Sequence, residues 1–134
     1  MNLEKTLVII KPDVVKMNLA GKIISMYEEK GLEIGNMRLT RLSSEEAGKF
    51  YSEHKGKEFY EKLIDFMTES SCIPVVFSGE NAIKKVREIN GATDPAEAAE
   101  GTVRKIFGTN GRRNAVHGSD SLESAMREIS FFFS

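Results

Sequence analysis

The residues of this chain best suited to chemistry lie in Asn114-Ala115-Val116-His117-Gly118-Ser119-Asp120, which holds one of the two histidines. His117 closes a stretch, residues 101–118, that carries Arg104, Lys105, Arg112 and Arg113 and no acidic residue; the chain turns acidic immediately afterwards. Imidazole works as a nucleophile near neutral pH because its ordinary pKa is about 6.5, and covalent catalysis on histidine is an available route. Neighbouring cations attract an anion, and Gly118 lets backbone approach closely. Ser119 and Asp120 can cap a following helix, whose positive end also favours an anion. The combination is what phosphate chemistry on a histidine needs. On pattern alone a core histidine or a polar residue flanking a helix would read the same way.

The other candidates are weaker by themselves. Glu128 lies well into the next helix and can either fold back toward His117 or stand as a plain surface acid. His54, within Glu53-His54-Lys55-Gly56-Lys57, reads as surface chemistry at a charged helix end. Two histidines without a dense acidic cluster give no metal cage. Gly108-Thr109-Asn110-Gly111-Arg112 lacks the Gly-Lys-Ser/Thr ending of a P-loop, and the protein-kinase catalytic-loop and Asp-Phe-Gly signatures are absent. Side-chain cations must therefore do any phosphate binding. Phe50, Tyr51, Phe59 and Tyr60 are core residues by default, with one at a helix start able to face a cleft.

These residues need elements to position them. Thr6-Leu7-Val8-Ile9-Ile10 is a continuous apolar, β-branched run, as in a strand buried on both faces. Pro12 ends it and leaves Lys11 at its mouth. Residues 19–30 carry helical spacing closed by Gly31, and 33–42 alternate loosely as a strand. Ser43-Ser44-Glu45-Glu46 starts a helix running to about residue 53. Residues 57–68 form another helix, 72–77 a strand and 81–89 a short helix. Pro74 suggests an irregularity where its strand begins or an edge position. Residues 91–116 hold four glycines and little periodicity, and so long a loop in a small domain is usually functional or disordered. A last short strand around Val116 follows, then Asp120-Ser121-Leu122-Glu123 as a capping box opening a final helix. The order β-α-β-α-α-β-α-loop-β-α predicts an α+β, ferredoxin-like α/β sandwich: a four-stranded, mainly antiparallel sheet covered by helices on one face.

Composition narrows the class. The chain has 134 residues, 40% hydrophobic and 29% charged, with a net charge of -1. That fits a single globular domain over residues 1–134 and sets up no global field for nucleic acid or an anionic membrane. Cys72 is the sole cysteine, so no intrachain disulfide forms, and a reducing, cytoplasmic setting is expected. The N-terminus resembles no signal peptide. No apolar run approaches the ~18 residues of a membrane span, and Phe131-Phe132-Phe133 should dock into a core or a subunit interface.

Asn114-Ala115-Val116-His117-Gly118-Ser119-Asp120-Ser121 closely resembles the active-site signature of nucleoside diphosphate kinases. The resemblance extends over nearly the whole chain. It takes in Ile10-Lys11-Pro12-Asp13, Tyr51 with Glu53-His54-Lys55, Phe59, Gly91-Ala92-Thr93-Asp94-Pro95-Ala96, Gly101-Thr102-Val103-Arg104, Glu123-Ser124-Ala125 and Glu128-Ile129. It implies a ping-pong transfer in which a nucleoside triphosphate, mainly ATP, phosphorylates His117 and a nucleoside diphosphate takes the group away. It further implies that Glu128 and Ser119 orient the imidazole, that Arg87, Arg104 and Thr93 bind phosphates, and that Tyr51 reaches the transferring group. Lys11 would meet the ribose hydroxyl and the phosphate end, Asn114 the ribose, and Phe59 would stack on the base, a contact every base can make. Mg²⁺ is implied on the nucleotide phosphates rather than in a protein cage. A homo-oligomer, hexamer or tetramer, is implied as well.

The chain departs from the family pattern in places. Val14 and Met17-Asn18 replace a Gly and an Arg-Gly; Lys105-Ile106 replaces Gly or Ala followed by Asp. Gly111 stands where some members place an apolar residue opposite the base-stacking phenylalanine. Two other readings remain at this level. One is a catalytically silent nucleotide-binding regulatory module of the same fold. The other is a ferredoxin-like nucleic-acid binder, which would need aromatics on an open sheet face.

Overall fold

β1 (Leu3–Ile10) is apolar at every position from Leu7 to Ile10, and all four of those side chains are fully buried. Successive strand side chains point to opposite faces, so a run with no polar alternation has to be covered on both. The computed structural model, which describes residues 3–133, shows that cover. Leu7 and Ile9 enter one cluster with Ala47 and Phe50 of α3 (Ser44–Phe50), Leu63 and Met67 of α4 (Tyr60–Thr68) and Phe132 of α7 (Leu122–Phe133). Val8 and Ile10 enter a second with Ile23 and Tyr27 of α2 (Ala20–Glu28) and Ala82 and Val86 of α5 (Ala82–Asn90). The α+β, ferredoxin-like class holds. The expectation of helices on a single face does not, because the central strands have two apolar faces to bury at roughly 1.5–3 kcal/mol per large side chain.

The sheet order is β2-β3-β1-β4, with β2 (Glu33–Met37), β3 (Ile73–Glu80) and β4 (Val116–Gly118). Every pairing is antiparallel. β3 is internal, so Pro74 does not mark an edge. Its carbonyl accepts from the Arg38 backbone N–H at 3.3 Å. Its missing donor therefore faces the point where regular β2 pairing stops, between Met37↔Val75 and the isolated bridge Thr40↔Cys72. β2 itself is wholly exposed and bulged between Ile34 and Asn36.

Two short helices were not visible as periodicity. α1 (Pro12–Val15) starts on the proline that ends β1; at the first helical position the missing N–H costs nothing. α6 (Val103–Phe107) interrupts the loop of residues 91–116, capped by Thr102, whose Oγ1 accepts from the Lys105 N–H. Gly91 packs against that cap: its φ is +85° and an added Cβ would lie 2.6 Å from Thr102 Oγ1. α3 stops at Phe50, and a 3₁₀ turn (Ser52–His54) carries the chain onward. Ser43 and Glu46 form the reciprocal capping box of α3. At α7 the box read around Asp120 and Glu123 is replaced by Ser121, whose Oγ accepts from the Ser124 N–H at 3.1 Å. Asp120 turns its carboxylate to the Ser124 and Ser121 side chains instead.

Candidate active site

β4 is three residues long, yet it fixes His117. The register sets His117 opposite Ile9 and Gly118 opposite Val8. Just beyond it the Ser119 N–H donates to the Leu7 carbonyl at 3.1 Å, and Ser119 Oγ accepts from the Leu7 N–H at 3.2 Å. On the other side of the strand Ala115 holds a φ of +74°, a conformation that costs a non-glycine residue on the order of 1–3 kcal/mol. The turn after β1 holds it there. The Lys11 N–H donates to the Ala115 carbonyl at 2.8 Å, and the Ala115 N–H donates to Asp13 Oδ2 at 3.1 Å. The histidine is thus clamped from both flanks by the N-terminal strand and its first turn.

The imidazole is oriented by α7. Its Nε2 lies 2.7 Å from Oε1 of Glu128, and Ser119 Oγ donates to that same oxygen at 2.7 Å. A carboxylate only accepts, so Nε2 carries the proton and the Nδ1 lone pair is left available. Glu128 is 5% exposed; its second oxygen lies 3.8 Å from the Arg127 guanidinium. Phe50 packs edge-on against the His117 ring at 5.7 Å. The tautomer and the ring plane are both set before any ligand arrives.

His117 opens into a cleft of about 880 Å³. The predicted site residues Lys11, Tyr51, Phe59, Arg87, Thr93, Arg104, Asn114 and Glu128 all line it with His117; Ser119 lies buried behind them, against Glu128. Lys11 Nζ donates to Asn114 Oδ1 at 2.8 Å, and Asn114 Nδ2 donates to the carbonyls of Thr93 and Gly111. Burial, helped by the Arg104 charge, lowers the Lys11 pKa to about 7, against a smaller opposing pull from Asp13. Arg104 sends Nη1 to the Gly91 carbonyl at 2.9 Å and Nη2 to the Val116 carbonyl at 2.8 Å. It braces the loop against the strand that carries His117 and keeps further N–H groups for a ligand. Burial also lowers its pKa. Arg87 and Thr93 are exposed. The Tyr51 hydroxyl is buried without a hydrogen-bond partner, and that burial raises its pKa.

The sequence reading missed part of this wall. His54, which pattern alone reads as helix-end chemistry and only the family resemblance sets in a cleft helix, lines the cleft with its ring 5.4 Å from Phe59. Asn90, Arg112 and Asp120 line it as well. The helix break at Phe50 accounts for His54: the 3₁₀ turn rotates it inward, a change that helical periodicity could not reveal. Asn90 carried no signal, since a lone asparagine at a helix end reads as a cap.

A family model described as Nucleoside diphosphate kinase matches residues 4–134. A nucleoside diphosphate kinase of Persephonella marina is 52% identical over 134 residues, covering 100% of this chain and 96% of the relative. One from Methanocaldococcus jannaschii is 54% identical over 130 residues, covering 97% and 93%. Among solved structures, the Aquifex aeolicus nucleoside diphosphate kinase superposes with a TM-score of 0.96 at 42% identity, over 98% of this chain and 96% of that one. The Halobacterium salinarum enzyme, solved in complex with CDP, gives 0.94 at 38% identity, over 98% and 88%. The chain belongs to the nucleoside diphosphate kinase family.

Proposed function

We propose that this chain moves the terminal phosphoryl group of a nucleoside triphosphate, mainly ATP, to a nucleoside diphosphate through a phosphohistidine at His117. The observation that carries this reading is the bond from His117 Nε2 to a Glu128 oxygen that Ser119 also holds. With Nε2 committed, Nδ1 attacks phosphorus in line, the bond to the diphosphate leaving oxygen breaks, and the diphosphate departs. A second diphosphate then attacks the phosphohistidine in the reverse sense. Glu128 stabilises the charge that develops on the ring, as a positioned carboxylate does for other catalytic histidines. Arg87, Arg104 and Lys11 offset charge on the phosphate oxygens, Thr93 adds a hydroxyl, and the Tyr51 hydroxyl reaches the transferring group. Asn114 and Lys11 take the ribose, and Phe59 stacks on the base. Most of the catalysis is positioning and charge stabilisation.

Among the described residues no set of three or more His, Cys, Asp or Glu side chains is gathered to hold a metal ion. Glu128 is already engaged by His117 and Ser119. Mg²⁺ would arrive on the nucleotide phosphates and would neutralise part of their charge there. Homo-oligomerisation to a tetramer or hexamer fits the exposed apolar side chains Ile34, Met37 and Leu39 at the β2 edge; light scattering of the purified chain decides the number. No helix among the described residues is long and apolar enough to cross a membrane, and we place the enzyme in the cytoplasm with Cys72 reduced. The silent regulatory reading is disfavoured because the cleft is complete. The nucleic-acid reading is disfavoured because the central strands are covered on both faces.

The test is phosphoryl labelling. [γ-³²P]ATP with Mg²⁺ should label the protein in an acid-labile, alkali-stable form, and GDP or CDP should discharge the label. A folded wild-type chain that takes no label would sink the proposal.

A further inference from the structure

Asn90 ends α5 at the back of the cleft and is 1% exposed. Its Oδ1 accepts from the hydroxyl of Tyr27, a fully buried residue of α2. That bond fixes which way the amide faces. Nδ2 points away from Tyr27 and has no hydrogen-bond partner among the described residues. It lies against Gly118, where an added Cβ would come within 2.7 Å of it. Gly118 follows His117 directly, and the next residue after Asn90, Gly91, gives its carbonyl to Arg104. Asn90 therefore lines the cleft beside Gly118 and the Gly91 carbonyl that Arg104 holds. An amide N–H that lines a cleft without a protein acceptor can donate to an anion oxygen brought within its reach.

We propose that Asn90 is a phosphate-binding residue, its Nδ2 donating to an oxygen of the nucleotide's phosphate chain, and that Tyr27 is the positioning residue that turns the amide toward it. This rests on the phosphotransfer reading of the cleft. A neutral amide suits the place: it adds a donor without repelling the cations beside it, and an aspartate there would repel the phosphate. Gly118 has a second role here, since any side chain at that position displaces the amide.

The experiment is direct calorimetric binding of ADP and of adenosine to the full chain, with thermal melting alongside. Tyr27→Phe combined with Asn90→Met replaces the polar pair by an apolar one, so its Tm should stay within about 5 °C of wild type. ADP affinity should fall about tenfold to a hundredfold, the range for losing one hydrogen bond to a charged group, while adenosine affinity is unchanged. Asn90→Asp keeps an acceptor for Tyr27 and should lose ADP affinity at least as severely. A double variant that binds ADP like wild type, or that loses adenosine and ADP equally, overturns the assignment. Wild-type protein that binds no ADP overturns the reading of the cleft itself, and that arm is scored before any variant.

Discussion

The two ends of the cleft are built on opposite plans. Around His117 the side chains are withdrawn and tied: Ser119 is 0% exposed, Asn114 2%, Glu128 5% and Lys11 8%, while Arg87 and Thr93, which we assign to phosphate, stay exposed. Each of the withdrawn side chains has a hydrogen-bond partner in the protein. At the end we assign to the base, Phe59 is 42% exposed, and nothing lies within 4 Å of where a Gly111 side chain would begin. The contrast follows from what each end must do. Phosphoryl transfer depends on in-line geometry, where a misplacement of about 1 Å can cost on the order of 10²-fold. A base that varies from turnover to turnover needs a surface that demands little of its edges. Rigid order sits where rate is decided, and openness where the substrate changes.

The largest effects belong to the tied end. His117→Ala removes the nucleophile and should abolish acid-labile labelling and reduce turnover by about 10⁴-fold or more, in line with loss of a covalent nucleophile elsewhere. ADP binding should survive, because the imidazole is not among the phosphate anchors. Glu128→Gln comes next. The amide keeps the shape but can donate to Nε2, which permits the wrong tautomer, and kcat should fall about 10²- to 10⁴-fold with little change in KM. Labelling kinetics separate the two variants. A Glu128→Gln enzyme with full kcat would mean that the carboxylate is structural and that the tied end owes its rate to the cations alone.

Lys11 adds a pH dependence whose sign is set by burial. Its pKa in the ligand-free cleft is about 7, well below the ordinary 10.5, chiefly by desolvation. Phosphate favours the protonated amine, so above pH 7 nucleotide binding must be accompanied by proton uptake. ADP affinity should weaken by up to about tenfold per pH unit from pH 7 toward pH 9, and Lys11→Met should flatten that profile. Stability moves the other way. Between pH 7 and 10.5 the unfolded chain holds the Lys11 proton and the folded chain does not. This group therefore makes stability rise with pH across that window and removes the gain as pH falls back through 7. Calorimetry in buffers of different ionisation enthalpy reads the proton uptake directly.

The same contrast explains what the sequence made legible. The tied end is written in residues that do one thing: His117 in an acid-free basic stretch, the Ser43 cap, the unbroken apolar run of β1. Its fold followed from them, except that an apolar run with two faces to bury should have ruled out a sheet covered on one side. Short elements escaped because four or five residues, as in α1 and α6, complete too few turns to show a period. The parts assembled by tertiary contact were harder. His54 reached the cleft through a 3₁₀ turn, and the Tyr27–Asn90 pair joins residues 63 apart in sequence. Polar pairs made by tertiary contact leave no periodic trace, and neither does the left-handed Ala115, which only the backbone bonds to Lys11 and Asp13 explain.

The open end yields the smaller and more diagnostic effects. Phe59→Ala should weaken every nucleotide by roughly 1–3 kcal/mol, the range for one stacking contact, with purines and pyrimidines losing in the same direction. Gly111→Val is the subtler change. Its backbone is not in the left-handed region and a Cβ there meets open space, so the substitution costs the fold little. Lining the same cleft as Phe59, the valine would offer the base a second apolar wall and remove a few tens of Å² from water, at about 25 cal/mol per Å². KM should drop about two- to fourfold, more for purines because they present the larger face, while kcat and the labelling rate of His117 stay unchanged. Parallel KM measurements on GDP and CDP check this. A gain that also raised kcat would show that closing the base end tightens the phosphate end, and that the two ends are mechanically coupled rather than independent.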